Sequence, residues 1–144
     1  MKAVDRFVGA TLTGVLIVFG VATCVAIMGA FDVELMNRLL FRGLLDFTPS
    51  SEPIIRHWGL MIFGVGALMI ASAFRPWLQF STIAFATAEK AFIVWLYLSV
   101  RDQPWGQAYL VSCLVDGTFA LYGALYFLSS HGRPHQWVRS GGEP

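Results

Sequence analysis

Glu89 and Lys90 stand side by side in the middle of residues 78–100, a stretch that holds no other charge. Asp116 is the one charge in residues 105–129 and again lies near the centre. Ionisable groups are rare at mid-depth in bilayer-spanning helices, because losing water there is expensive unless a partner is found. Three such residues in consecutive segments point to a sheltered polar site, with proton exchange, ion pairing or recognition of a small polar group as its chemistry. Neighbours on a helix diverge by about 100°, so Glu89 and Lys90 are expected to be poor partners and Asp116 the better mate for Lys90. Glu89 is then the carboxyl left over and the candidate proton carrier. Thr or Tyr hydroxyls, among them Tyr97 and Tyr109, are its candidate hydrogen-bond partners. The competing reading is structural: a buried Lys–Asp bridge fixes helix pairing, and removing one partner costs roughly 3–5 kcal/mol in general.

The segments that must hold these residues are read from composition and pattern. Of 144 residues, 56% are hydrophobic and 13% charged, which is too apolar for a water-soluble domain of this length. Residues 7–31 and 57–74 are uncharged and apolar like the two charge-bearing segments. Each approaches the roughly 20 residues that cross a hydrocarbon core about 30 Å thick. The fold class expected is an all-α integral membrane bundle of four transmembrane helices. Residues 1–130 form its single domain, and residues 131–144 a polar, mobile tail. The first segment is too long for a secretory signal, carries Asp5 beside Lys2 and Arg6, and lacks a cleavage site. Arg75-Pro76 and Arg101-Asp102-Gln103-Pro104 are tight joins, which make consecutive helices antiparallel neighbours.

Residues 32–56 are the one long connection. Glu34, Arg38, Arg42 and Asp46 recur every four residues, with leucines filling the other side. That pattern predicts a short amphipathic helix in the membrane interface, capped by Asp32 and stopped at Thr48-Pro49, or else a lid over the bundle mouth. Trp58, Trp77 and Trp105 mark span ends. Arg56, His57 and Trp58 are candidate interfacial residues, Arg56 for an anionic headgroup and His57 as a packing or titrating group.

Helical spacing puts Thr82, Ala86, Glu89, Lys90, Ile93 and Tyr97 on one arc of the third span. Ser81, Ala84, Thr87, Ala88 and Ala91 form a small-residue strip opposite, so neighbours are expected on both faces. Asp116 shares a face with Tyr109, Ser112, Cys113, Ala120 and Gly123. Gly9, Thr13, Gly20 and Cys24 line one face of the first span. Gly20, Gly64, Gly66 and Gly117 lie near mid-depth, where the helices either pinch together or enclose a small cavity.

Several classes of chemistry lack their signatures. Cys24 and Cys113 are the two cysteines and form no CxxC pair, and no metal-ligand spacing exists. No histidine pair lies within the spans, and His131 and His135 are separated by Pro134. HExxH, GxSxG and a phosphate-binding loop are missing. No metal and no cofactor is expected, an enzyme is the less favoured reading, and a net charge of +1 gives nucleic acid no foothold.

Arg56-His57-Trp58-Gly59 opening one helix and Ala88-Glu89-Lys90-Ala91-Phe92 in the next resemble small bacterial four-helix membrane proteins of the BphX-like kind. The DoxX-like proteins share the general layout. Gln103-Pro104-Trp105 and Asp116 fit the same pattern, so the resemblance covers residues 54–129. It implies an uncharacterised inner-membrane protein and supplies no known active site. Small multidrug transporters also have four spans, but their signature glutamate is in the first, which is uncharged here. Lys2, Arg6, Arg75, Arg133 and Arg139 on one side outnumber Arg38, Arg42, Arg56 and Arg101 on the other, which favours cytoplasmic termini. The expected role is a non-catalytic accessory subunit or small-ligand-binding module, within a homo-oligomer or larger membrane complex. The alternatives are a proton-coupled transporter using Glu89, Lys90 and Asp116, or an enzyme acting on a lipid-soluble substrate.

Overall fold

The computed structural model describes residues 2–132. Helix α1 (Lys2–Cys24) continues through a 3-10 turn, Val25–Ile27, into α2 (Met28–Phe31), so the first rod runs 30 residues from Lys2 to Phe31. A short helix α3 (Val33–Leu40) follows, then α4 (Glu52–Phe74), α5 (Pro76–Val100) and α6 (Leu110–Leu128). No strand occurs among the described residues. Four rods are long and apolar enough to cross a membrane, and the chain is a multi-pass membrane protein. Their outer faces present Trp77, Phe85, Phe92, Trp95 and Leu121. Such a surface would be an aggregation hazard in water and suits acyl chains. At the start of the expected tail, Ser130–Gly132 form a 3-10 turn docked on α1, with the His131 imidazole against Gly9. The remainder of that tail, residues 133–144 with His135, lies outside the described residues.

Local chemistry sets the joins. Asp32 caps α3, its Oδ1 accepting the Leu35 N–H at 2.8 Å, as the sequence predicts. A lone residue, Arg75, separates α4 from α5, and Pro76 starts the new helix where a missing N–H costs nothing. Ser130 N–H donates to Asp5 Oδ1 at 2.6 Å, which ties the end of α6 to the start of α1. Both ends of the bundle therefore sit on one side.

Helices α1 and α4 approach backbone to backbone. A Cβ on Gly66 would lie 2.6 Å from the Gly20 carbonyl oxygen and 2.8 Å from Cys24 N. Only a bare Cα permits that contact, the kind that drives helix association in lipid. Below it, Val8, Leu12 and Leu16 of α1 pack with Met69, Ile83, Phe119, Tyr122 and Tyr126 in one dry core. The buried face of α1 is thus Val8–Leu12–Leu16–Gly20; of the expected face Gly20 is buried, whereas Gly9 and Thr13 are exposed. Large branched side chains fill the interior better than a stripe of small ones. Thr11 Oγ1 instead supplies the polar contact, 3.0 Å from the Tyr122 hydroxyl.

Two further expectations are corrected. Ser81, Ala88 and Ala91 of α5 are exposed, so the small-residue strip is not covered by a neighbour, although a Cβ on Gly123 would run into Thr87. The charge stripe of residues 34–46 is broken, because α3 ends at Leu40. Arg42 and Gly43 both turn left-handed, at φ 60° and 68°, and Gly43 N–H donates to the Asn37 carbonyl at 2.9 Å. That is a glycine helix stop, and it places Arg42 and Asp46 off the helix.

Candidate functional site

The burial pattern of α5 brings the charges inward. Thr82, Ala86 and Lys90, four residues apart, are all buried, which turns this arc to the bundle interior. On α6, Phe119, Tyr122, Gly123 and Tyr126 face the same way and carry Asp116 round with them, while Leu114 and Leu121 face out. Lys90 Nζ then lies 3.1 Å from Asp116 Oδ1 and 3.1 Å from Glu89 Oε2. Pairing of Lys90 with Asp116 is as expected. The exclusion of Glu89 is corrected. Neighbouring Cβ atoms do diverge, but the four-carbon lysine stem is long enough for the ammonium to turn back. A buried charge gains from every counter-charge within reach. Glu89 is therefore no carboxyl left over, and two acids share one ammonium. Glu89 Oε2 keeps no well-aligned hydrogen-bond donor, so the contact is one of charge and distance.

Exposure separates the three groups. The Lys90 side chain is 4% exposed, Glu89 18% and Asp116 16%. The two carboxylates are the more open side chains of the three.

They are reached from a cavity of about 300 Å³. Ala22, Thr23 and Ala26 form one wall, Trp58 and Ile62 of α4 another, and Ile93, Ser112 and Val115 complete the lower part above the charges. The upper end is lined by Leu39 and Leu40 at the end of α3, by Phe41 just beyond it, and by Tyr109. Phe41 is buried, its ring 6.2 Å from Trp58 and edge-on to Tyr109 at 5.7 Å. Asn37 holds this cover in place: its Nδ2 donates to Leu45 O at 2.7 Å and its Oδ1 accepts from Leu45 N at 3.3 Å. Of the two readings for residues 32–56, the lid has direct geometric support.

The remaining candidates divide. Tyr109 lines the cavity, whereas Tyr97 is half-buried outside its lining. Trp58 is a wall of the cavity as well as a span-end residue. Arg56 is engaged within the protein. Its Nη1 donates to the Ala30 and Phe31 carbonyls at 2.9 and 2.8 Å, and Nε and Nη2 to Glu52 Oε1 at 3.1 and 2.6 Å. It satisfies carbonyls orphaned at the end of the first rod. His57 is exposed and outside the cavity lining. Cys24 and Cys113 are free thiols, and Cys24 Sγ donates to Phe63 O at 3.7 Å.

Sequence reasoning missed Phe41 and the Ala22–Thr23–Ala26 wall. Gly43, read as a helix stop, would have ended α3 early and brought Phe41 back over the bundle. No comparable signal marks the wall, since small residues also occur on lipid-facing surfaces. Comparisons with protein-family models, curated proteins and solved structures return no match for this chain.

Proposed function

We propose that this chain is a small-ligand-binding module of the bacterial inner membrane, with both termini in the cytoplasm. The observation that carries the reading is the cavity of about 300 Å³ with Glu89, Lys90 and Asp116 at its floor. Small-molecule sites are concave, mostly apolar, hold a few convergent polar groups and start at roughly 300 Å³. Apolar walls and an aromatic upper end suit a lipid-soluble molecule, and the charged floor would fix its polar end. Resemblance to BphX-like proteins and the Lys/Arg distribution support the location and orientation. The module acts as a non-catalytic accessory part of an oligomer or larger membrane complex.

The test is extraction in a mild detergent, followed by mass spectrometry of the small molecules and proteins that leave with the chain. A defined small molecule near one per chain, lost when Val115→Trp fills the cavity in a still-folded variant, is the expected result. No retained molecule, or the same molecule retained by Val115→Trp, would overturn the reading.

A transport reading draws on the sharing of one ammonium by two acids, which leaves room for a bound proton at the floor. Solute uptake driven by a pH difference in reconstituted vesicles, and lost in Glu89→Gln, would favour it over a passive module.

A further inference from the structure

We infer that the ligand of this cavity is an organic cation, a lipid-soluble amine in its protonated form. The inference rests on the ligand-binding reading above and adds the sign and chemistry of the ligand's polar end.

Charge and accessibility carry it. With all three groups ionised, the floor carries two negative charges and one positive, a net excess of one carboxylate. All three groups line the cavity, and the Lys90 side chain is 4% exposed against 18% for Glu89 and 16% for Asp116, so an entering anion meets mainly acids. An anion would be repelled there at short range and in a poorly screened interior, where like charges cost most. A neutral molecule would leave the excess charge to be neutralised by a proton. An ammonium group supplies the missing positive charge and N–H donors, which carboxylate oxygens accept strongly.

The upper end agrees with the same occupant. Trp58, Tyr109 and Phe41 surround it with aromatic faces and edges. Aromatic faces attract cations, and tryptophan does so best, so an aromatic upper end suits positive charge. Among the described residues, no arginine and no second lysine lines the cavity. The molecule offers another recess, lined by Asp32, Glu34, Asp46, Glu52 and Arg56 under the connection after α2, but nothing in it points to an occupant.

Three probes of one shape test the sign: 1-naphthylmethylamine, 1-naphthylmethanol and 1-naphthoate. Each is titrated calorimetrically into the full chain in lipid nanodiscs at neutral pH, with empty nanodiscs subtracted. The amine is expected to bind saturably about tenfold or more tighter than the alcohol, with no saturable binding of the carboxylate. Glu89→Gln, where it folds, should reduce amine affinity about tenfold and leave the alcohol unchanged. Alcohol or carboxylate binding as tight as the amine would overturn the cation assignment while leaving the cavity a ligand site. Saturable binding of none of the three would remove the ligand-binding reading together with the inference.

Discussion

The two halves of the bundle are built on different principles. Toward the chain ends, Val8, Leu12, Leu16, Met69, Ile83, Phe119, Tyr122 and Tyr126 form one apolar core, and Asp5 ties α1 to Ser130. Toward the 32–56 connection, the buried apolar cluster shrinks to Met36, Phe41 and Ala108 with partly buried neighbours. Between the two lies the cavity, with three charges on its floor. The Gly20–Gly66 contact sits near the boundary and draws α1 and α4 together. Apolar packing is concentrated in one half, and the other half keeps open space beside a buried cluster of ionisable groups. A protein selected for packing alone would have filled that space, since voids and buried charges both cost free energy.

Substitutions should separate the halves. The largest effect is expected at Lys90. Lys90→Met leaves Glu89 and Asp116 facing each other without a counter-charge and should cost about 3–5 kcal/mol. The readout is unfolding in mixed detergent micelles. Adding Glu89→Gln and Asp116→Asn to that variant should recover most of the loss, because a neutral cluster has no charge to strand. Phe119→Ala, in the dry half, should cost about 3 kcal/mol by the same assay. Affinity for a cavity ligand should be unchanged in that variant, and a parallel fall in affinity would show that the halves are not independent.

Smaller effects sharpen the contrast. Thr11→Val removes the hydroxyl 3.0 Å from Tyr122 and should cost about 0.6 kcal/mol, the usual worth of an interhelical hydrogen bond in a membrane. At the lid, Arg42 holds a left-handed backbone that glycine or asparagine adopts more easily. Arg42→Asn should therefore stabilise the chain by about 0.5 kcal/mol. Limited proteolysis in the 39–47 region, slower in Arg42→Asn, is the direct check on the lid.

The spans and their order were legible because hydropathy operates over twenty-residue blocks, and four such blocks leave little choice of architecture. Asp32 as a cap and Asp116 as the mate of Lys90 were legible for local reasons, a side chain before a helix and opposite charges on adjacent spans. What escaped depends on reach and on volume. Helical angles place Cβ atoms, and they gave no account of a lysine stem turning back to Glu89. Angular arguments also favoured Gly9 and Thr13 where the filling of space selected Val8 and Leu12. The internal contacts of Arg56 escaped because its partners, the Ala30 and Phe31 carbonyls, are backbone groups that no pattern of side chains reveals.

The most direct test of the account is the distance from the Lys90 nitrogen to the two carboxyl carbons in the lipid-reconstituted protein. The sequence has two lysines, so a Lys2→Arg background leaves Lys90 as the single labelled ammonium. Solid-state NMR dipolar recoupling to selectively labelled Glu89 and Asp116 should show both carbons close, in keeping with the 3.1 Å N···O contacts. Coupling to neither carbon, or to Glu89 alone, would contradict a floor built from two helices around one buried ammonium.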